Sequence, residues 1–162
     1  MKKLISILLS AVLLFTLSAC AGAKGEPESA LIECETEFVY LSYKEPKEPA
    51  IKVISTKKEF DAFYNDTNEN YYNTEIFLSH LCEKYTEEFF ESRSIICVSF
   101  DYGSSSSEKY SVENLIKGAD GRLYVNIKNT TPGDNCDVVV WFAFIETDKQ
   151  NLPKNAEDIV LL

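Results

Sequence analysis

Apolar and polar residues alternate in the second half of the chain with the period of two that is typical of β-strands. The alternation covers residues 94–100, 110–116 and 123–127. Asp120-Gly121 falls between the last two stretches, and this dipeptide favours the tight turn of a hairpin. We therefore expect three consecutive strands, of which the last two form a hairpin.

The stretch 137–147 differs because nearly every position is apolar. Even positions such as Phe142 and odd positions such as Trp141 both carry large side chains. A strand with two apolar faces is covered on both sides in a folded protein. This stretch is therefore predicted to be the longest and central strand, and residues 159–162 are predicted to add an edge strand.

In the first half of the chain, apolar residues recur at the spacing of a helix. Thr56 and Glu59 match a capping box at the start of a helix. Three aromatic residues then recur at i, i+3 and i+4: Phe60, Phe63 and Tyr64. The turn-forming residues 65–70 are predicted to end this helix. A second, less regular stripe consists of Ile76, Phe77, His80, Leu81 and Tyr85. The sequence predicts an α+β fold, an antiparallel-rich sheet of five to seven strands with two short helices packed on it.

The first twenty residues follow a different pattern. Lys2 and Lys3 precede an apolar run of about 14 residues, which as a helix rises only about 21 Å, less than the roughly 30 Å of a bilayer core. The sequence Leu-Ser-Ala-Cys at 17–20 resembles the lipobox of bacterial lipoprotein signals. The resemblance implies that residues 1–19 are removed and that Cys20 carries a diacylglycerol. An ordinary secretory signal followed by a chance Cys is the alternative.

The resemblance places the protein on the outer face of the cytoplasmic membrane, held by its lipid. Residues 20–33, which begin with small and polar residues, are predicted to form a tether, and 34–162 a single α+β domain. The chain has 16 basic and 26 acidic side chains, a net charge of −10. A surface this acidic argues against a nucleic acid as partner.

Four further cysteines allow three disulfide pairings in an exported domain. Their strand positions favour Cys97 with Cys136, and Cys34 with Cys82 by elimination. Free thiols are the alternative, since a Cys in an apolar strand behaves as a small hydrophobe.

Two segments are candidate contact surfaces. The first is a Gly/Ser-rich loop at 103–107, read as a flexible connection whose hydroxyls at Ser104, Ser105 and Ser106 are available to a partner. The second is the aromatic pair Tyr71 and Tyr72, flanked by Asn residues. The turn at 132–137 carries three oxygen-bearing side chains but lacks the spacing of a calcium loop.

No catalytic motif stands out. The loop at 103–107 does not contain the G-x-S-x-G pattern of a nucleophile elbow, and the lone His80 is not followed by ligand spacing for a metal. The sequence therefore predicts no catalytic residue, no metal site and no cofactor. An enzyme would require a cleft that holds His80 beside a cysteine or carboxylate.

The order of segments in the second half resembles the C-terminal domain of PrcB-type lipoproteins and uncharacterised lipoproteins of clostridia-type bacteria. The resemblance covers roughly 86–145 and includes the Pro-Gly turn before Cys136. The segments that carry it are 89–90, 94–98, 103–107, 110–112, 123–125, 132–136 and 145–146. It implies a lipoprotein that supports a cell-surface protease complex, and it supplies no catalytic residues. In this chain Glu108-Lys109 stands before Tyr110, which departs from the family pattern.

Two functions follow as hypotheses. The first is a lipid-anchored, non-enzymatic module outside the cytoplasm that binds or stabilises a surface protein, such as a protease. The second is a solute- or glycan-binding lipoprotein that uses exposed Tyr residues.

Overall fold

The computed structural model describes residues 29–45, 48–135 and 137–162, with only the backbone of Asp101 and Tyr102. The predicted signal 1–19, Cys20, most of the tether and Cys136 lie outside the described residues. Within the described residues, no helix combines the length and the apolar character needed to cross a membrane.

The described residues form nine strands and three α-helices. The strands are β1 (Ala30–Ile32), β2 (Glu35–Tyr43), β3 (Ala50–Ile54), β4 (Tyr71–Tyr72), β5 (Arg93–Ser104), β6 (Lys109–Lys117), β7 (Leu123–Thr131), β8 (Val139–Asp148) and β9 (Ile159–Leu161). The helices are α1 (Lys57–Asn70), α2 (Thr74–Lys84) and α3 (Phe89–Ser92), and short 3₁₀ turns follow at Lys149–Asn151 and Ala156–Asp158.

The larger sheet has the order β3-β5-β8-β2-β4 and is antiparallel throughout. The stretch predicted as the central strand is β8, and the structure confirms that position. Nine of its ten residues are buried. The prediction that it would also be the longest strand is wrong, because β5 continues through a register shift between Phe100 and Ser104.

Two separate apolar clusters cover the two faces of β5 and β8. On one face, Cys97 and Phe144 pack against the helices through residues such as Phe60 and Leu81. On the other face, Val98 packs against a second sheet of order β1-β6-β7-β9. The predicted alternation of β5 is therefore confirmed, with its odd positions toward the helices and its even positions toward the second sheet.

The predicted class is confirmed, an α+β fold with antiparallel-rich sheet and short helices. The strands divide into two sheets, because the second apolar face of β8 needs a cover that the helices do not supply. The predicted hairpin joins β6 and β7, and Gly121 has a φ of 83°, a conformation that glycine adopts without steric cost. The predicted edge strand is β9, which pairs with β7 in parallel.

A β-bulge changes the alternation of β6. Val112 pairs with Ile127 and Asn114 with Asn126, so Glu113 is an extra residue on this strand. Beyond the bulge the buried position is Leu115, which is fully inaccessible, whereas Ile116 turns to the opposite face. The predicted regular alternation through 110–116 is therefore interrupted at the bulge.

Both predicted helices exist, but their details differ. The Oγ1 of Thr56 accepts from the N–H of Glu59 at 3.2 Å, which confirms the cap. The helix continues to Asn70, because Thr67 is buried and its hydroxyl donates to a helix carbonyl at 2.7 Å. In α2, Ile76 is 71% exposed and His80 also faces solvent, so the buried stripe is centred on Leu78 and Leu81 instead.

The predicted C-terminal boundary of the tether, residue 33, lies inside the folded domain. Ala30–Ile32 forms β1, which pairs antiparallel with β6 from Ala30 with Lys117 to Ile32 with Leu115. The last residues of that segment therefore belong to the second sheet.

The thiols of Cys34, Cys82 and Cys97 are free. Cys34 packs against the cluster between the two sheets, whereas Cys82 packs against the cluster under the helices. The proposed pairing of these two residues is therefore absent, because the larger sheet separates them. The other proposed pairing involves Cys136, which lies outside the described residues.

Cys97 is buried beneath the helices, and burial raises the pKa of its thiol well above the ordinary 9.0. A raised pKa in the folded state adds stability below the ordinary pKa, and this contribution is lost as pH rises. We therefore expect the free energy of unfolding to fall above about pH 9, by about 1.4 kcal/mol per pH unit for this thiol.

Urea denaturation under reducing conditions, from about pH 8 to about pH 10, measures this dependence. The free energy of unfolding of Cys97→Val should fall less steeply with pH. Cys34→Val changes a half-buried thiol, and its free energy of unfolding should keep most of the wild-type pH dependence. An unchanged pH dependence in Cys97→Val would contradict the prediction.

Candidate functional site

The serine-rich loop between β5 and β6 is docked onto the loop after β7. Ser105 is buried, and its Oγ lies 3.0 Å from Ser107 Oγ and 3.3 Å from Asp137 Oδ1. The N–H of Ser106 donates to the same Asp137 oxygen at 3.2 Å, and Ser107 Oγ donates to Asp134 at 3.0 Å. The expectation of a flexible loop with available hydroxyls is therefore wrong for most of this segment.

Close packing explains why the two loops stay together. A Cβ on Gly133 would lie 2.4 Å from the Cβ of Ser105, so only glycine allows this approach. The indole N–H of the buried Trp141 donates to the carbonyl of Ser105 at 3.1 Å. Hydrogen bonds from Ser106 lower the pKa of the Asp137 carboxyl, which keeps it charged as an acceptor.

The oxygen-bearing side chains of these two loops form hydrogen bonds with one another. The Oγ of Ser104 is buried with no hydrogen-bond partner among the described residues. In the described part of the chain, no group of three or more His, Cys, Asp or Glu side chains is placed to hold a metal ion.

The aromatic pair of β4 does not form one surface. Tyr71 is buried with its ring 5.3 Å from that of Phe142, and it belongs to the cluster under the helices. Tyr72 is 54% exposed, and the ammonium of Lys44 lies 5.5 Å from its ring centroid. Successive residues of a strand point to opposite faces, and this separates the two rings. The predicted contact surface is therefore reduced to Tyr72.

The outer face of the second sheet carries an apolar row that the sequence did not reveal. Leu31 pairs with Ile116, Ile116 with Tyr124, and Tyr124 with Val160, so one residue from each strand stands in line. Leu31 is 73% exposed, and the other three are half-buried without belonging to either core cluster. We call these four residues the outer row.

Polar side chains lie beside the outer row on the same sheet. Glu113, the residue of the bulge, forms an ion pair with Lys128 at 2.7 Å and accepts from Asn126 at 3.1 Å. The hydroxyl of Tyr124 donates to Asp120 at 2.7 Å, and this bond lowers the pKa of the Asp120 carboxyl. An apolar centre with a polar border is the usual composition of a protein interface.

A second unpredicted cluster surrounds Glu146, whose carboxylate is 1% exposed in the middle of the protein. It accepts from the hydroxyl of Tyr85 at 3.1 Å, and it pairs with Lys84 at 2.5 Å and Arg93 at 3.2 Å. Burial, together with the charge of Glu146, raises the pKa of the Tyr85 phenol well above its usual range. A single carboxylate within the apolar stretch 138–147 was the available sequence signal.

The cluster continues to the surface through Glu37. This carboxylate contacts His80 Nε2 and lies 3.5 Å from the ammonium of Lys84. Partial burial opposes the charged form of Lys84, but the hydrogen bond and charge of Glu146 outweigh it and raise the pKa of Lys84. His80 thus lies beside a carboxylate, yet its side chain is 53% exposed on the open side of α2. The cluster ties α2 and β5 to the centre of the sheet.

No family model, no curated protein and no solved structure matched this chain. The resemblance to PrcB-type lipoproteins therefore stays a prediction.

We expect Glu146→Ala to lower the free energy of unfolding by about 2–4 kcal/mol, because the buried Tyr85 hydroxyl loses its acceptor and two cations lose their buried partner. Glu35→Ala is the matched control, since Glu35 also pairs with Arg93, at 3.1 Å, but is exposed. That control should cost less than about 1 kcal/mol. Urea denaturation measures both, and equal losses would contradict a central role for Glu146.

Proposed function

We propose that this protein is a lipid-anchored, non-enzymatic module outside the cytoplasm that binds another protein through the outer row. The observation that carries the proposal is the alignment of four apolar side chains on the solvent face of a sheet whose other face is already covered. Outward positions of such a sheet are ordinarily polar, because only one face packs on the core. A contiguous apolar exception on a small domain is typical of an interaction surface.

The shape and composition of this region suit a protein partner. The outer row is part of a sheet surface, with Leu31 on one edge strand and Val160 on the other. The polar groups beside it, Glu113, Lys128 and Asp120, suit the border of an interface. The net charge of −10 favours a partner whose contacting surface is neutral or basic.

The sequence also limits where the partner lies. Leu31 is eleven residues after Cys20, and a fully extended chain of that length reaches at most roughly 40 Å. If Cys20 carries lipid, Leu31, at one end of the outer row, therefore stays within that distance of the membrane. The partner is accordingly a protein of the membrane or of its immediate surface, and a cell-surface protease complex fits this description.

We expect Leu31→Glu to abolish recovery of the partner. The full-length protein and its variants would be purified from detergent-solubilised membranes of the bacterium that produces it, and co-purifying proteins quantified by mass spectrometry. Placing a carboxylate at the most exposed apolar position of the interface should reduce recovery by about tenfold or more.

Ile76→Glu is the matched control, because Ile76 is 71% exposed, close to the 73% of Leu31, but lies on α2. One protein should co-purify with the wild type and with Ile76→Glu, and be lost with Leu31→Glu. Equal recovery with both variants, or repeated recovery of the lipoprotein alone, would count against the proposal.

The anchor has its own test. Cys20→Ser removes the thiol that accepts the lipid, so the protein should leave the membrane fraction or accumulate with its signal uncleaved and a larger apparent mass. Cell fractionation followed by immunoblotting measures this, with Cys34→Ser as the control. A Cys20→Ser protein that sediments with membranes at the normal size would overturn the anchoring.

A further inference from the structure

A pocket of about 160 Å³ opens between the C-terminal half of α1 and β3, on the helix side of the larger sheet. Its floor includes the buried rings of Phe63, Tyr71 and Phe142. The Phe142 ring lies 6.3 Å from that of Phe63 and 5.3 Å from that of Tyr71. A cavity of roughly 150 Å³ suffices for a benzene-sized molecule, so the pocket suits a small ligand or a single side chain.

The polar groups of the floor are engaged within the protein. Thr67 Oγ1 donates to the carbonyl of Phe63 at 2.7 Å. Ser99 Oγ accepts from the N–H of Ala50 at 3.1 Å. The floor therefore offers aromatic surface rather than spare hydrogen-bonding groups, and this favours an apolar body in the ligand.

The rim, by contrast, is charged. Glu48 and Asp66 place two exposed carboxylates at the opening. The third charged group is Lys52, whose ammonium lies 5.6 Å from the ring centroid of Phe63. A cation over an aromatic face is stabilised by the ring quadrupole. The protein's own lysine thus already occupies the position that a cationic ligand would take, and its long exposed side chain is free to move aside.

We propose that this pocket binds an alkylammonium group, that is, a short apolar body ending in a primary amine. The apolar body contacts the rings of Phe63 and Phe142, and the ammonium replaces that of Lys52 at the opening that Glu48 and Asp66 also line. A free amine and the lysine side chain of a peptide share this chemistry. The pocket lies on the helix side, whereas the outer row faces away from the larger sheet, so the two proposals stand or fall separately.

The test uses n-butylammonium as the probe, with 1-butanol and butyrate as neutral and anionic controls of similar size. Backbone amide shifts in two-dimensional NMR spectra report binding at Ala50, Thr67 and Ser99. We expect saturable shifts with a dissociation constant in the millimolar range, as suits so small a ligand. The two controls should bind at least about fivefold more weakly, since they lack the cation.

Variants at the exposed rim test the mechanism without altering the core. Lys52→Gln removes the competing cation and should tighten binding about threefold to tenfold. Lys58→Gln is its control, because it changes the net charge equally on a helix surface away from the pocket. The double variant Glu48→Gln/Asp66→Asn should weaken binding of the probe by at least about fivefold.

A capped lysine peptide, titrated beside n-butylammonium, distinguishes the two sources. Tighter binding of the peptide identifies a partner's side chain, and tighter binding of the free amine identifies a small solute. Absence of saturable shifts with both probes, in the wild type and in Lys52→Gln, would overturn the proposal. Equal binding of the ammonium and the two control molecules would overturn it as well.

Discussion

The structure depends on one strand that has to be buried on both faces. β8 lies in the centre of the larger sheet, with Phe142 and Phe144 under the helices and Ala143 and Ile145 under the second sheet. Neither layer alone removes both rows from water, and for this reason the domain has three layers. Burying a large apolar side chain stabilises the fold by about 1.5–3 kcal/mol, so the two faces of this strand together dominate the packing. The helices and the second sheet are held to the same strand.

Glu146 lies on this strand, and its position shows how the packing constrains charge. A carboxylate in the middle of the protein requires compensating partners, and Lys84, Tyr85 and Arg93 supply them from α2, its C-terminal end and β5. The same contacts connect the helices to the sheet at a point where apolar packing gives no directional preference. The cluster therefore fixes orientation, while the apolar residues supply most of the stability.

Sequence periodicity was sufficient to predict the local structure of each segment that follows a regular pattern. The two faces of β5, the central position of β8, the hairpin at Gly121 and the cap at Thr56 could all be predicted. Periodicity could not show which layer covers each face, since that depends on contacts between distant segments. It failed at β6, because a bulge leaves no mark in the pattern of apolar residues.

The candidate sites were harder to predict for the same reason. The docking of the serine-rich loop depends on Gly133, some thirty residues away in the chain, and on the carbonyl contact made by Trp141. Tyr71 was expected at the surface, and only its neighbours in space show that it lines an aromatic floor. The outer row involves four strands and joins residues from Leu31 to Val160. Such a juxtaposition is a property of strand register, which local sequence does not reveal.

The bulge at Glu113 has a consequence for how this surface can change over evolutionary time. Because Glu113 is left out of the ladder, Leu115 pairs with Val125 and Ile116 with Tyr124. If Glu113 instead paired with Asn126, each later residue would move by one place, and Leu115 and Ile116 would exchange interior and exterior positions. The outer row and the packing between the sheets are therefore specified by the position of the bulge as much as by side-chain identity. Point substitutions can adjust the chemistry of the row gradually, whereas a one-residue shift in the pairing of β6 with β7 would disturb recognition and folding in a single step.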